Sequence, residues 1–282
     1  MDMIDQIIAL ALFEDSGLGD ITSESILPDH RSGRGVIVAK QDCILAGTDA
    51  ARRTFRALDP EVRLDFFFRD GDAVSKGDKV LSVEGDLLSL LKSERVALNF
   101  LQRLSGIATL TRQYVAALDG SSVRMTDTRK TTPGWRQLEK AAVRSGGGHN
   151  HRFSLYDGIL IKDNHIAVAG SISAAAQAVK KRASHLMKIE VEVTTMDQVD
   201  EALAVGADVI MLDNMTCEQM TAAVVRIHGQ ALVEASGNVS LETLKDIADT
   251  GVDVISCGAV THQARSVDLS MRIFETPEGQ VS

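Results

Sequence analysis

The sequence predicts an α/β protein made of two unlike parts. From about residue 120 to residue 265, short apolar stretches recur roughly every twenty residues with helical patterns between them, the rhythm of repeated βα units. Over about residues 1–115, β-like stretches divided by Gly and Asp follow an amphipathic helix, a pattern typical of an α+β sandwich. The repeated units favour either a parallel (β/α) barrel or a doubly wound sheet.

The first part opens with a helix, because Ile4, Ile8 and Leu12 recur at helical spacing. Its predicted strands cover residues 35–40, 43–46, 63–68 and 79–83. A long helix follows from about Leu87, and Ser105-Gly106 is expected to weaken it, since Gly is a poor helix former.

The second part contains six predicted strands. They cover residues 123–126, 158–161, 189–193, 209–212, 232–233 and 252–255, with helices at 196–205 and 241–249. Gly206, Gly229 and Gly251 stand where helices are expected to end. No GxGxxG follows the first of these strands, which argues against a dinucleotide-binding fold.

Composition excludes several classes of protein. The chain has 282 residues, 44% apolar and 24% charged, and its 39 acidic and 30 basic residues give a net charge of -9. Such an acidic chain is a poor candidate for binding nucleic acid or an anionic membrane surface. No apolar run approaches the roughly 18 residues of a membrane span, and the acidic start argues against a signal peptide. Three cysteines, Cys43, Cys217 and Cys257, are far apart in the sequence, which argues against a disulfide framework. A chain without disulfides fits the reducing cytosol best.

Polar residues follow five of the six predicted strands of the second part, and the strand 189–193 itself carries two glutamates. A barrel gathers the carboxyl ends of its strands at one mouth, so we expect these residues to converge there. They are Asp127–Lys130, Lys162–His165, Glu190 with Glu192, Asp213-Asn214, Glu234–Asn238 and Ser256–Gly258.

Two of these groups have more than one interpretation. Glu190 and Glu192 share one face of a strand, where they would form either a structural ion pair or part of a site. Ser236-Gly237 and Gly258 are either turn residues or loops whose N–H groups surround a phosphate.

The stretch His149-Asn150-His151-Arg152 allows a metal site or an anion site. His-x-His occurs in metal centres, so a metal-dependent barrel hydrolase using His149 and His151 is the competing function. An anion pocket is favoured, because Arg129, Lys130 and Lys162 accompany Arg152 and guanidinium groups bind carboxylate or phosphate oxygens in pairs. A sugar-phosphate-binding barrel without activity is a third interpretation.

Three motifs resemble the quinolinate phosphoribosyltransferase family. They are Asp127-Thr128-Arg129-Lys130-Thr131-Thr132-Pro133-Gly134, Gly146-Gly147-Gly148-His149-Asn150-His151-Arg152 and Leu155-Tyr156-Asp157-Gly158-Ile159-Leu160-Ile161-Lys162-Asp163-Asn164-His165. The resemblance covers nearly the whole chain, from Glu14-Asp15 through Glu94-Arg95 to Gly258–His262. It implies an incomplete (β/α) barrel over residues 116–265, preceded by an α+β open sandwich over 1–115 to which 266–282 returns.

The resemblance also implies the chemistry. Members of the family join quinolinate to phosphoribosyl pyrophosphate with Mg²⁺, release pyrophosphate and CO₂, and form nicotinate mononucleotide for NAD. It assigns Arg129, His151, Arg152 and Lys162 to the quinolinate carboxylates, and Lys130, beside Thr128, to pyrophosphate. Glu192 and Asp213 would bind the ribose hydroxyls and Mg²⁺ and stabilise the ribosyl cation. The 5′-phosphate would take N–H groups of Ser236, Gly237, Asn238, Gly258 and Ala259.

Two further features of the resemblance each concern a single residue. Arg95, on the long helix, would enter the pocket of a second subunit and make a homodimer obligatory. Asn238 stands where relatives often have Gly, and because Asn tolerates unusual backbone angles we expect the loop to keep its form.

Overall fold

The computed structural model describes residues 2–27 and 29–275, and these residues form two compact units. The first unit runs to Arg112 and also contains Thr132–Gly147 and the described residues from Ala264 to Glu275. The second contains Gln113–Thr131 and Gly148–Gln263. Residues 132–147, which the sequence places in the barrel range 116–265, therefore cluster with the first unit.

The two units are built from short strands and helices. The strands are β1 (Ser32–Ala39), β2 (Cys43–Ile44), β3 (Arg63–Phe66), β4 (Ala73–Val74), β5 (Lys79–Asp86), β6 (Arg124–Thr126), β7 (Ile159–Ile161), β8 (Ile189–Val193), β9 (Val209–Asp213), β10 (Leu232–Ser236), β11 (Val254–Ser256) and β12 (Leu269–Glu275). The helices are α1 (Met3–Ser16), α2 (Ile21–Ile26), α3 (Thr48–Leu58), α4 (Leu87–Ala117), α5 (Arg136–Ser145), α6 (Asp163–Ala169), α7 (Ile172–Lys180), α8 (Met196–Ala204), α9 (Cys217–Ile227), α10 (Leu244–Ala248) and α11 (Ala259–His262).

The first unit contains an antiparallel sheet in the order β12-β1-β5-β3. Ile37 of β1 and Leu81 of β5 pack in one apolar cluster with Leu98 and Leu101 of α4, all fully buried or nearly so. Burial of side chains of this size, worth about 1.5–3 kcal/mol each, holds the sheet and the helix together. β12 brings the end of the described chain to this unit, and residues 276–282 of the predicted returning segment lie outside the described residues.

Helix α4 does not weaken at Gly106 but continues through it. A Cβ at this position would overlap the carbonyl oxygen of Arg265, so only Gly allows that backbone to approach the helix. The chain beside it is fixed by two hydrogen bonds, from Val267 N to the Gln102 carbonyl at 3.1 Å and from Gln102 Nε2 to the Leu269 carbonyl at 2.8 Å. Tertiary packing therefore overrides the low helix propensity of Gly106.

The second unit contains six parallel strands in the order β6-β11-β10-β9-β8-β7. Strands β7 to β11 follow one another in sequence, and β6, the first of the set, lies beside β11, the last. This cyclic order differs from that of a doubly wound sheet, in which the order reverses at a switch point. β6 and β7 are not paired, and a single bridge joins Thr126 to His149 instead. The predicted incomplete barrel, within the α/β class, is confirmed.

Local sequence signals fix the barrel helices. Thr195 begins α8 by accepting a hydrogen bond from Gln198 N, and Thr216 begins α9 in the same way from Gln219 N. Gly206, Gly229 and Gly251 follow helices with φ angles of 68°, 74° and 90°, the left-handed conformation that Gly adopts without strain. Each helix ends two or three residues before its glycine, where the chain turns back toward the next strand.

Among residues 2–27 and 29–275, no helix combines the length and the apolar character that crossing a membrane requires.

Candidate active site

The carboxyl ends of the barrel strands surround a cavity of about 530 Å³. All of its lining residues belong to the second unit. They are Thr128, Arg129, Lys130, His151, Arg152, Leu160, Lys162, Glu192, Met211, Asp213, Asn214, Ser236, Gly237, Asn238 and Ser256. Four of these side chains, from Arg129, Lys130, Arg152 and Lys162, are basic, although the chain as a whole is acidic.

Asp127 anchors the segment that carries His151 and Arg152. Its carboxylate is fully buried and accepts hydrogen bonds from His151 N at 2.8 Å and from Asn150 Nδ2 at 2.7 Å. Backbone bonds on either side, from His149 N to Met125 O and from Asp127 N to His149 O, attach the segment to the end of β6. These bonds hold residues 149–152, which lie more than twenty positions after β6 in the sequence, at the cavity wall.

The imidazole of His151 has a protein partner at each nitrogen. Arg152 N donates to Nδ1 at 2.8 Å, so Nδ1 is an acceptor and the ring proton is on Nε2. Nε2 lies 3.1 Å from Glu190 Oε2 and 3.5 Å from Glu234 Oε1. His151 is therefore a neutral ring whose N–H faces two buried carboxylates.

Those three side chains place their ligand atoms within 4.8 Å of one another, the spacing of a metal site. A metal on Nε2 would require the ring proton to move to Nδ1. Nδ1 instead accepts the N–H of Arg152, so the arrangement does not suit a metal. His149, the other histidine of the competing hydrolase, is exposed and does not line the cavity.

Lys162 and Glu192 form the main ion pair of the cavity, with Nζ 2.7 Å from Oε2. Lys162 follows β7, and Glu192 lies two residues beyond Glu190 on β8, so the two glutamates share the inner face of the strand as expected. Glu192 faces the cavity, whereas Glu190 pairs with His151. Glu192 thus both forms the ion pair and lines the cavity, whereas Glu190 is a buried carboxylate beside a neutral ring.

The guanidinium group of Arg152 is held in place by a nearby main-chain carbonyl group. Nη1 donates to the Gly158 carbonyl at 2.8 Å. Partial burial, together with the positive charge of Arg129, lowers the pKa of Arg152 from its usual high value. Two guanidinium groups that repel each other in this way gain from binding an anion between them.

The loop after β10 is shaped around Asn214. A Cβ on Gly237, whose φ is 88°, would overlap Asn214 Oδ1. Asn238 Nδ2 donates to that same oxygen at 3.1 Å, and Asn214 Nδ2 donates to Asp213 Oδ2 at 2.8 Å. Asn238 has a φ of 50°, the kind of backbone angle that Asn tolerates and that the loop needs. The amide chain orients the Asp213 carboxylate at the cavity edge.

Three of the residues proposed from the sequence do not line the cavity. Gly258 lies next to it, since a Cβ there would be 2.9 Å from Lys130 Cδ, and Ala259 begins α11. Arg95 is exposed on α4 in the first unit.

Two lining residues, Leu160 and Met211, were absent from the sequence-based set, and two more, Asn214 and Ser256, were expected at the mouth but were given no binding role. Leu160 and Met211 each lie two positions before a predicted residue, Lys162 and Asp213, so strand alternation could have found them.

Cys257 is buried beside the cavity, and its Sγ donates to the Val239 carbonyl at 3.5 Å. Burial raises the pKa of this thiol above its usual value, so it is a neutral thiol and not a reactive thiolate.

A parallel barrel whose strand ends form a strongly basic cavity defines an enzyme that acts on small anionic substrates. Comparison with known families narrows this class. The family model for the quinolinate phosphoribosyl transferase N-terminal domain matches residues 20–105, and the model for the C-terminal domain matches residues 107–272. The chain belongs to the quinolinate phosphoribosyl transferase family, which confirms the resemblance drawn from its motifs.

Relatives agree with this assignment in sequence and in structure. The chain is 47% identical to a probable nicotinate-nucleotide pyrophosphorylase (carboxylating) of Bacillus subtilis, over 92% of this chain and 90% of that protein. A Synechocystis protein of the same description is 45% identical, over 96% and 92%. The crystal structure of NadC from Streptococcus pyogenes superposes with a TM-score of 0.93 at 43% identity, covering 97% of both chains.

Proposed function

We propose that the protein transfers the phosphoribosyl group of phosphoribosyl pyrophosphate to quinolinate and decarboxylates the product. The reaction gives nicotinate mononucleotide, pyrophosphate and CO₂, the entry of a de novo route to NAD. The observation that carries the proposal is the cavity itself, in which four basic side chains face two acidic ones, Glu192 and Asp213. This balance suits two strongly anionic substrates that must approach a carbon that becomes cationic.

The quinolinate end of the cavity is formed by Arg129, Arg152 and Lys162. Both ring nitrogens of His151 already have protein partners. The three cations therefore bind the two carboxylates of quinolinate directly. Arginine forks fix a planar carboxylate in two places, which orients the pyridine ring nitrogen toward the sugar. His151 lines the wall beside them.

The sugar end is formed by the two acidic residues and the loops after β10 and β11. Glu192 and Asp213 bind the ribose hydroxyls, and Lys130, next to Thr128, binds the pyrophosphate. N–H groups of Ser236, Gly237 and Asn238, with those of Gly258 and Ala259, bind the 5′-phosphate. The positive φ angles of Gly237 and Asn238 support this role, because such turns expose N–H groups to an anion.

Glu192 and Asp213 also suit Mg²⁺, which prefers carboxylate and phosphate oxygens. Both carboxylates line the cavity, and the amide of Asn214 orients Asp213. When bound with pyrophosphate, Mg²⁺ supplies positive charge that stabilises the leaving group.

Catalysis then rests on positioning and charge. The ring nitrogen of quinolinate bonds to C1 of the ribose while the C1–O bond to pyrophosphate breaks, and the electron pair leaves with pyrophosphate. Glu192 and Asp213 stabilise the oxocarbenium-like positive charge that the ribose carries in this transition state. The C2–carboxylate bond then breaks and CO₂ departs, which leaves the electron pair on C2. The adjacent cationic ring nitrogen stabilises this carbanion until C2 takes a proton from water.

The direct test is incubation of the protein with quinolinate, phosphoribosyl pyrophosphate and Mg²⁺. We expect nicotinate mononucleotide and CO₂ in equal amounts, measured by chromatography and by release of label from the C2 carboxylate. Nicotinate in place of quinolinate serves as the control and is expected to give no product, since it has only one carboxylate. Formation of mononucleotide from nicotinate, or none from quinolinate, would contradict the proposal.

The proposed reaction needs no nucleophilic side chain, so Cys257 is expected to be dispensable for turnover. The Cys257→Ala variant is expected to keep its turnover within about twofold, because the buried neutral thiol is no nucleophile. Steady-state kinetics and a thermal melt on the same sample check this. A hundredfold loss of turnover in a folded variant would point to covalent catalysis.

We also propose a homodimer in which Arg95 of one subunit completes the pocket of the other. Its exposure on α4, in the first unit, leaves it available for this contact. Mixing Arg95→Ala with Arg152→Ala, each inactive alone, is expected to restore about a quarter of wild-type activity, because half of the dimers are hybrid and carry one intact site. Activity is measured after subunit exchange is verified by mass spectrometry. Exchange without recovery would exclude shared sites.

We place the enzyme in the cytosol. The three cysteines, Cys43, Cys217 and Cys257, are free thiols in the structure, as expected in a reducing compartment.

A further inference from the structure

Two buried carboxylates outside the cavity lining are left unused by this mechanism. Glu190 on β8 and Glu234 on β10 are only 7% and 3% exposed, and neither lines the cavity. Both face Nε2 of His151, which does line it. The pair therefore lies directly behind the wall of the quinolinate end.

The charges of this cluster do not balance if both carboxylates are ionised. His151 is neutral, since its Nδ1 accepts from Arg152 N. Its single N–H lies closer to Glu190, at 3.1 Å, than to Glu234, at 3.5 Å, and Glu234 Oε1 accepts no hydrogen bond. Two carboxylates this close in a buried site cannot both be charged at low cost, so one of them holds a proton.

The proton belongs on Glu234. Burial, followed by the negative charge of Glu190, raises the pKa of Glu234 to about 7, and the Ser256 hydroxyl and Lys162 oppose the rise. The neutral His151 ring opposes it less than an imidazolium would. Of these groups, Glu190 lies on β8, Ser256 ends β11, Lys162 follows β7, and His151 lies in the segment attached to the end of β6. A protonated Glu234 reduces the charge of the cluster from two negative to one.

We propose that Glu234 determines the affinity for quinolinate by remaining a neutral carboxylic acid behind the pocket. This inference rests on the proposed function, since it concerns how the dianionic substrate is held. A second negative charge behind His151 would oppose the field of Arg129 and Arg152. Ionising Glu234 is therefore expected to weaken quinolinate binding without removing any group that touches the substrate.

Proton binding to Glu234 and quinolinate binding are thermodynamically linked, so the direction of the pH effect is fixed and proton uptake can be measured. If quinolinate binds the protonated form more tightly, it must raise the affinity of Glu234 for its proton by the same factor. The wild-type protein is expected to take up a fraction of a proton when quinolinate binds near pH 7.5. The substrate supplies no proton, because its carboxyl groups are ionised far below this pH.

The experiment is titration calorimetry of quinolinate alone, from pH 6 to pH 8.5, in buffers of different ionisation enthalpy. For the wild type we expect the dissociation constant to rise roughly five- to tenfold across the range, centred near pH 7, with proton uptake. The Glu234→Gln variant has the shape of the protonated acid. It is expected to hold its low-pH affinity throughout and to take up no proton.

Different results of this titration would overturn the role of Glu234 and the proposed function. A pH-independent wild-type affinity, or the same pH dependence and uptake in E234Q, overturns the inference while quinolinate binding stands. No binding of quinolinate at any pH overturns the proposed function and the inference with it. If E234Q folds poorly, the uptake of protons by the wild type still decides the matter.

Discussion

The Lys162→Met variant is expected to lose about a thousandfold in kcat/KM for quinolinate. Methionine keeps the apolar stem of the side chain and removes only the ammonium group. That group lies 2.7 Å from Glu192 Oε2 at the cavity wall, so its loss removes a cation from the substrate site and leaves Glu192 unpaired. Deleting one preorganised charge from an active site costs on the order of 10²–10³ in rate, and the unpaired carboxylate adds further repulsion of an anionic substrate.

The matched control is Lys181→Met. Lys181 is exposed at the end of α7 in the same unit and does not line the cavity. The Lys181→Met variant also removes one positive charge from the chain, and its kcat/KM is expected to stay within twofold of the wild-type value. Steady-state kinetics at saturating phosphoribosyl pyrophosphate, with circular dichroism as the folding check, measure both variants. A loss below tenfold for Lys162→Met would remove this residue from the site.

The barrel could be predicted because its signals are local. The unit around α8 shows them together: an apolar strand, a helix cap at Thr195 and a glycine, Gly206, after the helix. The predicted strand 189–193 coincides with β8. Strand ends were less certain where polar residues stand inside the barrel. β10 extends to Ser236, beyond the predicted 232–233, because Glu234 faces the buried interior instead of ending the strand.

The convergence of the basic residues also follows from sequence. Parallel strands end at one mouth, so Arg129 and Lys130 after β6 and Lys162 after β7 meet in a single cavity. The state of His151 could not be predicted in this way. Its tautomer depends on Arg152 N, and its partners come from β8 and β10. Sequence shows that Glu190 and Glu192 share a face, but only the fold shows which of them reaches the cavity.

Gly106 is the clearest position at which local propensity gave the wrong expectation, since α4 runs through it. In an exposed helix, Gly→Ala stabilises by up to about 1 kcal/mol. Here we expect the opposite. The Cβ of Gly106→Ala would overlap the backbone of Arg265, and the rigid main chain would have to move away from α4. Overpacking of this kind costs about 3 kcal/mol.

The displaced chain leads directly into β12, so the loss should spread to the first unit's sheet. Val267 N and the Leu269 carbonyl both bond Gln102, one turn before Gly106 on α4, and β12 pairs with β1 along its length. Thermal and urea unfolding are expected to show a melting temperature lower by roughly 6–10 °C. Gln113→Ala, at an exposed position of the same helix, is the control and should change stability by less than about 0.5 kcal/mol. A Gly106→Ala protein as stable as the wild type would show that this backbone approach does not need a glycine.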